Sequence, residues 1–385
     1  MSTPTRVGVG IIGGGLMGRE ALAAFGRWAA LPGHPVRPVV VCVADPAPSA
    51  REFFAAHGVD TVADHTALLV RDDVEVVYAA VPHDLHERIY LDVLAAGKDL
   101  LAEKPFGIDL DAARRIVAAI EASDRFVRCS SEFPFYPGAQ AAVDLVRSGA
   151  LGPIIEARGA FLHSSDLLRS KPINWKRQRA RCGEIGVMAD LGMHVAHVPL
   201  RLGWRPGSVR AVLQDLVSTR PDPAGGTAVC DTAENATLSC RVPGPDGDFP
   251  LNLETKRIAP GEMNTWVFEA VGMDGGVSFS TRSPAVVRRF RLTEAGEQVF
   301  EEVQPGHHSV FPTITGGIFE FGFPDTLLQM WAAFLAERAG LLGERFGCAT
   351  PREALDSHAL FAAALRSDER DSVEVVAYDD PAASA

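Results

Sequence analysis

The stretch Ala189-Asp190-Leu191-Gly192-Met193-His194-Val195-Ala196-His197 brings one carboxylate and two imidazoles close together in the chain. If it is helical, Asp190 and His194 stand at i and i+4 on one face, and His197 follows one turn further on. Such a stripe can be a metal site, a proton relay or a hydrogen-bonded cluster in a helix interface. A metal site would need further ligands and an open coordination position, and the chain has no HExxH and no Cys/His cluster to supply them. No metal is therefore expected. A second chemical feature is Gly13-Gly14-Gly15-Leu16-Met17-Gly18, which fits GxGxxG at Gly13, Gly15 and Gly18. Glycines at that spacing permit a tight turn, a close approach of backbone to a pyrophosphate, and packing of helix on strand.

The elements needed to position these groups are legible in outline. A chain of 385 residues with 47% hydrophobic and 22% charged content can build two cores. Its net charge of −12 gives no electrostatic footprint for nucleic acid or anionic membrane. Six cysteines without a CxxC, and no opening signal segment or long apolar run, read as a reduced cytoplasmic protein. Apolar runs at 7–12, 39–44, 74–81, 99–102 and 126–129 alternate with amphipathic segments at 17–30, 47–57, 85–96 and 110–122. That alternation predicts a parallel sheet covered on both faces, a doubly wound α/β domain over residues 1–130.

The glycine turn stands at the first strand-to-helix junction, which is the context a dinucleotide site requires. The second strand ends in Val43-Ala44-Asp45, where a carboxylate can hold the adenosine ribose hydroxyls. Asp45 lies beyond the usual spacing of about 20 residues after the glycines. The loop at 31–38, with its prolines and glycine, accounts for the excess. A carboxylate there repels a 2′-phosphate, so NAD is expected over NADP. Residues 131–385 predict an α+β domain, a helix at 137–148 and the Asp/His helix at 184–202 followed by strand-like runs up to 292. Met273-Asp274-Gly275-Gly276 supplies a hairpin turn, helices at 325–339 and 351–366 close the chain, and the open face of a mostly antiparallel sheet is an oligomer surface. His307-His308 reads as a solvated turn.

Four further stretches carry a family resemblance. Glu103-Lys104-Pro105 resembles the Glu-Lys-Pro signature of the glucose-fructose oxidoreductase, inositol dehydrogenase and rhizopine-catabolism (Gfo/Idh/MocA) family. "GVMADLGMHVAH" resembles its second signature, "VPHDLHE" with Pro82 and His86 a loop near the nicotinamide, and "RSGALGPIIEA" the entry into its second domain. The resemblance implies a nicotinamide-dependent oxidoreductase acting on a secondary alcohol of a sugar, cyclitol or related polyol, assembled as a dimer or tetramer. It implies a cofactor-binding set of Gly13, Gly15, Leu16, Met17, Gly18, Asp45, Pro82, His86, Glu103 and Lys104. Lys104, Asp190 and His194 are implied as catalytic, and with Trp175 and His197 as substrate-binding. Glu103 reads equally as a structural brace of the Lys104-Pro105 turn, where a cis bond is possible. Trp175-Lys176 reads equally as a charged surface loop, and His197 as structural. Two positions depart from the family: His197 stands where an acidic residue is common, and "EFPFYPG" lacks the usual arginine.

Oxidising an alcohol requires a base matched to neutral pH, which an imidazole such as His194 provides. Lys104 can stabilise the substrate oxygen, and Asp190 can orient the imidazole or hold a neighbouring hydroxyl. Two other readings of the same residues are an NAD-dependent glycoside hydrolase acting by transient oxidation, and a non-catalytic NAD-binding sugar sensor.

Overall fold

The computed structural model describes residues 4–306, 308–314 and 316–379. Strands β1 (Thr5–Ile12), β2 (Val36–Ala44), β3 (Asp60–Val62), β4 (Val76–Ala79), β5 (Asp99–Ala102) and β6 (Val127–Cys129) form a parallel sheet of order β3-β2-β1-β4-β5-β6. Helices α1 (Leu16–Gly26), α2 (Pro48–Ala56), α3 (His65–Leu69), α4 (His86–Ala95) and α5 (Leu110–Glu121) connect them. β1 and β4 are neighbours although two strands separate them in sequence, so the strand order reverses there, and in open α/β sheets ligands bind at that reversal. The expected doubly wound domain is present. The unforeseen parts are the short edge strand β3 and the single-turn-and-a-half helix α3 beside it.

After α6 (Pro137–Arg147) the chain enters β7 (Ile154–His163), the short helix α7 (Arg179–Cys182) and the long helix α8 (Val187–Arg201). The strands that follow are β8 (Ser208–Gln214), the hairpin β9 (Thr219–Pro221) and β10 (Thr227–Val229), β11 (Asn235–Val242), β12 (Phe249–Lys256), β13 (Asn264–Gly272), β14 (Gly275–Ser280), β15 (Val287–Leu292) and β16 (Gln298–Val303). Helices α9 (Phe323–Arg338) and α10 (Pro351–Arg370) and the two-residue β17 (Glu374–Val375) complete the described chain.

Nine of these strands form one sheet, β16-β15-β14-β13-β7-β12-β11-β8-β17. It is antiparallel except where β7 pairs with β12, as a strand arriving from the first domain and inserting centrally must leave one parallel neighbour. Helices α6, α8 and α10 pack on one face. The expected mostly antiparallel α+β layer is therefore present, β16 and β17 are additions at its edges, and β9 and β10 form a separate two-stranded sheet. α9 and α10 also pack back on α1 and α5, and Arg338 and Arg128 reach across to Asp99 and Glu337. One apolar core consequently runs from Val9 and Tyr78 of the parallel sheet to Trp331 of α9 and Leu253 of the second sheet. This shared core holds the glycine turn and α8 in fixed relation. The alternation along β11, buried on every second residue, sets the helix-covered face against the outer one.

Candidate active site

The glycine turn has one glycine that the chain itself does not explain. Gly13 has φ 102°, and a Cβ there would meet the Ala80 carbonyl oxygen at 2.2 Å. A Cβ on Gly18 would meet the Gly13 carbonyl oxygen at 2.3 Å. Both absences are forced by packing of the chain on itself. Gly15, the N-cap of α1, lies at φ −73°, and a Cβ there would meet nothing within 4 Å. The space it leaves faces the uncapped N-terminus of α1, whose unsatisfied N–H groups attract an anion. Leu16 is exposed and Met17 half-buried at the same rim. Asp45, at the end of β2, accepts the Gly14 N–H at 2.7 Å and the Ala47 N–H at 2.8 Å, which fixes its carboxylate beside the turn and leaves lone pairs for another donor.

Lys104 is held by a braced turn. The Lys104-Pro105 peptide is cis. Glu103 is buried, and one of its oxygens takes the Tyr78 hydroxyl at 2.6 Å and the Ser130 hydroxyl at 2.7 Å. Tyr90 donates to the Glu103 carbonyl. His86 places its two ring nitrogens against the Pro105 and Val81 carbonyls, at 2.7 and 2.9 Å, and burial pulls its imidazole down to about 4. Glu103 and His86 thus tie β4, α4, β5 and the turn together. Pro82 precedes the short turn containing His83, whose ring meets Trp175 edge-on at 4.7 Å.

From that turn the Lys104 ammonium reaches α8 in the second domain. Its Nζ donates to the Asp190 carbonyl at 2.7 Å and to Asp190 Oδ1 at 3.2 Å. Lys176 donates to both Asp190 oxygens, at 2.8 and 3.0 Å, and Arg257 donates to Oδ2 through Nε and Nη2, at 3.3 and 3.1 Å. Burial works against the charge on Asp190, yet the adjacent Lys176, Lys104 and Arg257 outweigh it and hold the carboxyl well below its ordinary range. Lys104 is held above its usual value, since Asp190, Glu103 and Glu132 overcome its own burial. The carboxylate of Asp190 spends its hydrogen bonds on cations, not on His194.

His194 is buried between Phe133 and Phe161, each edge-on with ring centroids 5.1 Å away. Trp266 Nε1 donates to its carbonyl at 2.7 Å and so pins that turn of α8 to the sheet. Burial, reinforced by the charge of Lys104, drives its imidazole well below 6.5, so the ring is neutral and able to accept a proton. Nδ1 has no hydrogen-bond partner, and Glu132 Oε2 lies 3.9 Å from it.

The remaining expected residues are placed as follows. His197 turns to another side of α8, fully buried, with its ring 5.0 Å from Phe346 and both nitrogens lacking a hydrogen bond. Burial and the neighbouring Arg201 hold it neutral, at about 3. Trp175 is half-buried against His83, directly before Lys176. His308 is exposed, 2.7 Å from Asp144, and His307 lies outside the described residues. Among the described residues no group of His, Cys, Asp and Glu is arranged to hold a metal ion. Sequence reasoning missed Arg257, Glu132 and His163, the last of which feels the charges of Asp190 and Lys176. Glu132 had a signal, a lone carboxylate directly before the apolar Phe133-Pro134-Phe135. Arg257 had none.

Residues 7–131 match the profile of an oxidoreductase family with an NAD-binding Rossmann fold, and residues 139–277 match the GFO/IDH/MocA C-terminal domain. The chain is similar to levoglucosan dehydrogenase of Pseudarthrobacter phenanthrenivorans, 26% identical over 323 residues that cover 77% of this chain and 80% of that protein. It is 29% identical over 237 residues to dTDP-3,4-didehydro-2,6-dideoxy-alpha-D-glucose 3-reductase of Actinomadura kijaniata, covering 61% of this chain and 67% of that one. Among solved structures, levoglucosan dehydrogenase in complex with NADH and levoglucosan shares the fold with a TM-score of 0.86 at 22% identity, over 97% of this chain and 100% of that chain. An NAD binding oxidoreductase from Klebsiella pneumoniae shares it with a TM-score of 0.85 at 23% identity and the same coverage.

Proposed function

We propose, from the premise that this chain belongs to the Gfo/Idh/MocA oxidoreductase family, that it is an NAD-dependent dehydrogenase of a secondary hydroxyl on a sugar, cyclitol or related polyol. The observation that carries the reading is the meeting of Lys104, from the dinucleotide-binding domain, with Asp190 of α8, one helical turn before a neutral His194. The similar proteins whose names state a substrate act on levoglucosan and on a dTDP-linked deoxysugar, which supports a carbohydrate substrate here.

The open space at Gly15, the uncapped start of α1 and the fixed carboxylate of Asp45 fit a dinucleotide. Gly13, Gly15, Leu16, Met17 and Gly18 would line its pyrophosphate, Asp45 its ribose hydroxyls, and Pro82 the nicotinamide end. Once bound, NAD supplies the hydride acceptor. Lys104 donates to the substrate oxygen and stabilises the negative charge that develops on it, and His194 accepts the hydroxyl proton. Asp190 keeps Lys104 charged and aimed. Trp175 and Lys176 bound the substrate side of this cluster, with Glu103 and His86 holding the Lys104 turn. In the reduction direction His194 donates the proton. The position of Asp45 favours NAD over NADP by repelling a 2′-phosphate.

The protein is further proposed to work in the cytoplasm as a homo-oligomer. No described helix is long and apolar enough to cross a membrane, and all six cysteines are free and buried. The outer face of the second sheet exposes Phe300 beside Phe290 near the β16 edge, flanked by Arg288–Glu302, with the pair Arg158–Glu254 further along the face.

The deciding experiment is nicotinamide absorbance with purified protein against cyclitols, hexoses, pentoses and glycosides, with NAD and NADP in parallel and a chelator present. NADH accumulates with at least one polyol, and NADPH accumulates more slowly in the NADP arm. Silence across the panel from protein that demonstrably binds NAD overturns the dehydrogenase reading.

A further inference from the structure

His194 offers a base with an unfinished environment. One ring nitrogen of a neutral imidazole carries hydrogen, and the other is the acceptor. If Nε2 is to take the substrate proton, Nδ1 must carry the hydrogen, and a buried N–H needs an acceptor. Nδ1 is buried and has none at hydrogen-bonding distance. Among the described residues the one carboxylate oxygen paired with it is Glu132 Oε2, 3.9 Å away and 5% exposed as a residue. Phe133 and Phe161 close two sides of the ring, so the imidazole has little room to turn toward another acceptor. Glu132 sits immediately before the short helical turn at Phe133–Phe135, and its carbonyl accepts the Phe135 N–H at 2.9 Å. Its backbone is thus anchored, and the gap between Glu132 Oε2 and Nδ1 lies about 1 Å beyond a hydrogen bond. Catalytic hydrogen bonds are commonly long before substrate is bound and tighten in the reacting complex.

We propose that Glu132 is the positioning and proton-holding partner of His194, its carboxylate accepting the Nδ1 hydrogen and keeping Nε2 as the free base. The inference rests on the dehydrogenase reading for its catalytic consequence, and on the geometry alone for the pairing. During oxidation the substrate O–H bond breaks and an Nε2–H bond forms as hydride leaves the same carbon for NAD. The Nδ1–H bond then breaks and its proton joins Glu132. The imidazole begins and ends neutral, in opposite tautomers, and the carboxylate ends as a carboxylic acid.

The charges around the pair suit that transfer. The charges of Lys104, Asp190, His163 and His197 act on His194, whereas Glu103 and Lys104 act on Glu132, and Glu132 in turn acts on Tyr78 and Tyr136. Burial, with Glu103 adding to it, pushes the Glu132 carboxyl up to about 7, so it takes and releases a proton near neutral pH. Asp190 and Lys104 keep their charges there, His163 and His197 are moved down from 6.5 by burial, and the tyrosines lie well above.

The test is nitrogen NMR of protein labelled with ¹⁵N-histidine and saturated with NAD, the His194 signals being assigned by their loss in His194→Asn. From pH 5.5 to 8.5 the ring stays neutral while its Nδ1 shift follows one ionisation with a midpoint near 7, and that ionisation vanishes in Glu132→Gln. A flat His194 profile, or one unchanged by Glu132→Gln, overturns the pairing. Kinetics supply the second readout. Glu132→Gln lowers kcat by at least about tenfold, leaves the NAD dissociation constant unchanged and erases the ionisation from the pH profile, whereas Glu132→Asp retains it. Equal kcat and an unaltered profile in Glu132→Gln overturn the catalytic role. Should Glu132→Gln fail to fold, the wild-type and Glu132→Asp titrations carry the same decision. An intact NMR coupling in a protein that turns over no polyol refutes the dehydrogenase reading and leaves the pair standing.

Discussion

Replacing Asp190 by asparagine keeps the shape of the side chain and deletes its charge, which isolates what the carboxylate does for the three cations around it. Its side chain is 7% exposed, that of Lys104 14% and that of Arg257 2%, so these charges sit where water cannot compensate for the loss. Removing one partner of a buried ion pair costs about 3–5 kcal/mol, because the other is left uncompensated. Lys176, at 39% side-chain exposure, can turn outward and adds little to that figure. Against a total stability of order 5–15 kcal/mol, the loss is a large fraction. Asp190→Asn is therefore expected to lower the unfolding free energy by about 3–5 kcal/mol in urea at pH 7, followed by tryptophan fluorescence. Adding Arg257→Met removes one stranded charge, so the double variant recovers part of the loss relative to the sum of the single ones. Because the folded pKa of Asp190 is depressed, its contribution is complete above the ordinary carboxylate range and disappears as pH falls toward the folded value. The gap between wild type and variant thus narrows in strong acid. A loss under about 1 kcal/mol at pH 7, or strictly additive single and double variants, would refute the claim that Asp190 is the shared counter-charge.

His194→Asn should cut kcat by about 10²–10⁴-fold with NAD affinity unchanged by isothermal titration, and unaltered turnover removes it as the base. Gly15→Ala and Gly18→Ala separate ligand space from chain packing. The first weakens NAD binding at nearly wild-type thermal stability, and the second destabilises the fold, since its Cβ meets the Gly13 carbonyl oxygen. Equal melting temperatures for the two would contradict this. Glu132 has a folded pKa of about 7 against an ordinary 4.5, so its stabilising contribution is present below pH 4.5 and lost as pH rises through 7. At about 1.4 kcal/mol per pKa unit, Glu132→Gln should be more stable than wild type by up to about 3 kcal/mol at pH 8.5 and nearly equal at pH 4.5. A pH-independent difference in urea unfolding would count against it.

The features legible in the chain alone rest on local rules. Gly13, Gly15 and Gly18 are read from spacing because a turn between strand and helix is a matter of consecutive backbone angles. The alternating apolar runs fix the parallel sheet, and the i, i+4 spacing puts Asp190 and His194 on one helix. β3 and α3 escaped notice because Asp60–Val62 and His65–Leu69 are too short to show a period. Helical periodicity says which residues share a face, not what meets that face. Hence the stripe Asp190, His194, His197 read as one cluster, whereas the fold gives each a different neighbour. Asp190 goes to Lys104, Lys176 and Arg257, His194 to Glu132 and two phenylalanines, and His197 to Phe346. Lys104 and Arg257 follow distant strands and meet one carboxylate only because one core joins the two sheets. Pairing between distant charges follows from burial and topology, which no short window of sequence contains. Burial likewise set the protonation states, holding His194 neutral and lifting Glu132 toward neutrality. Residue type supplied the chemistry available to this protein, and tertiary packing decided which groups carry charge and where their protons go.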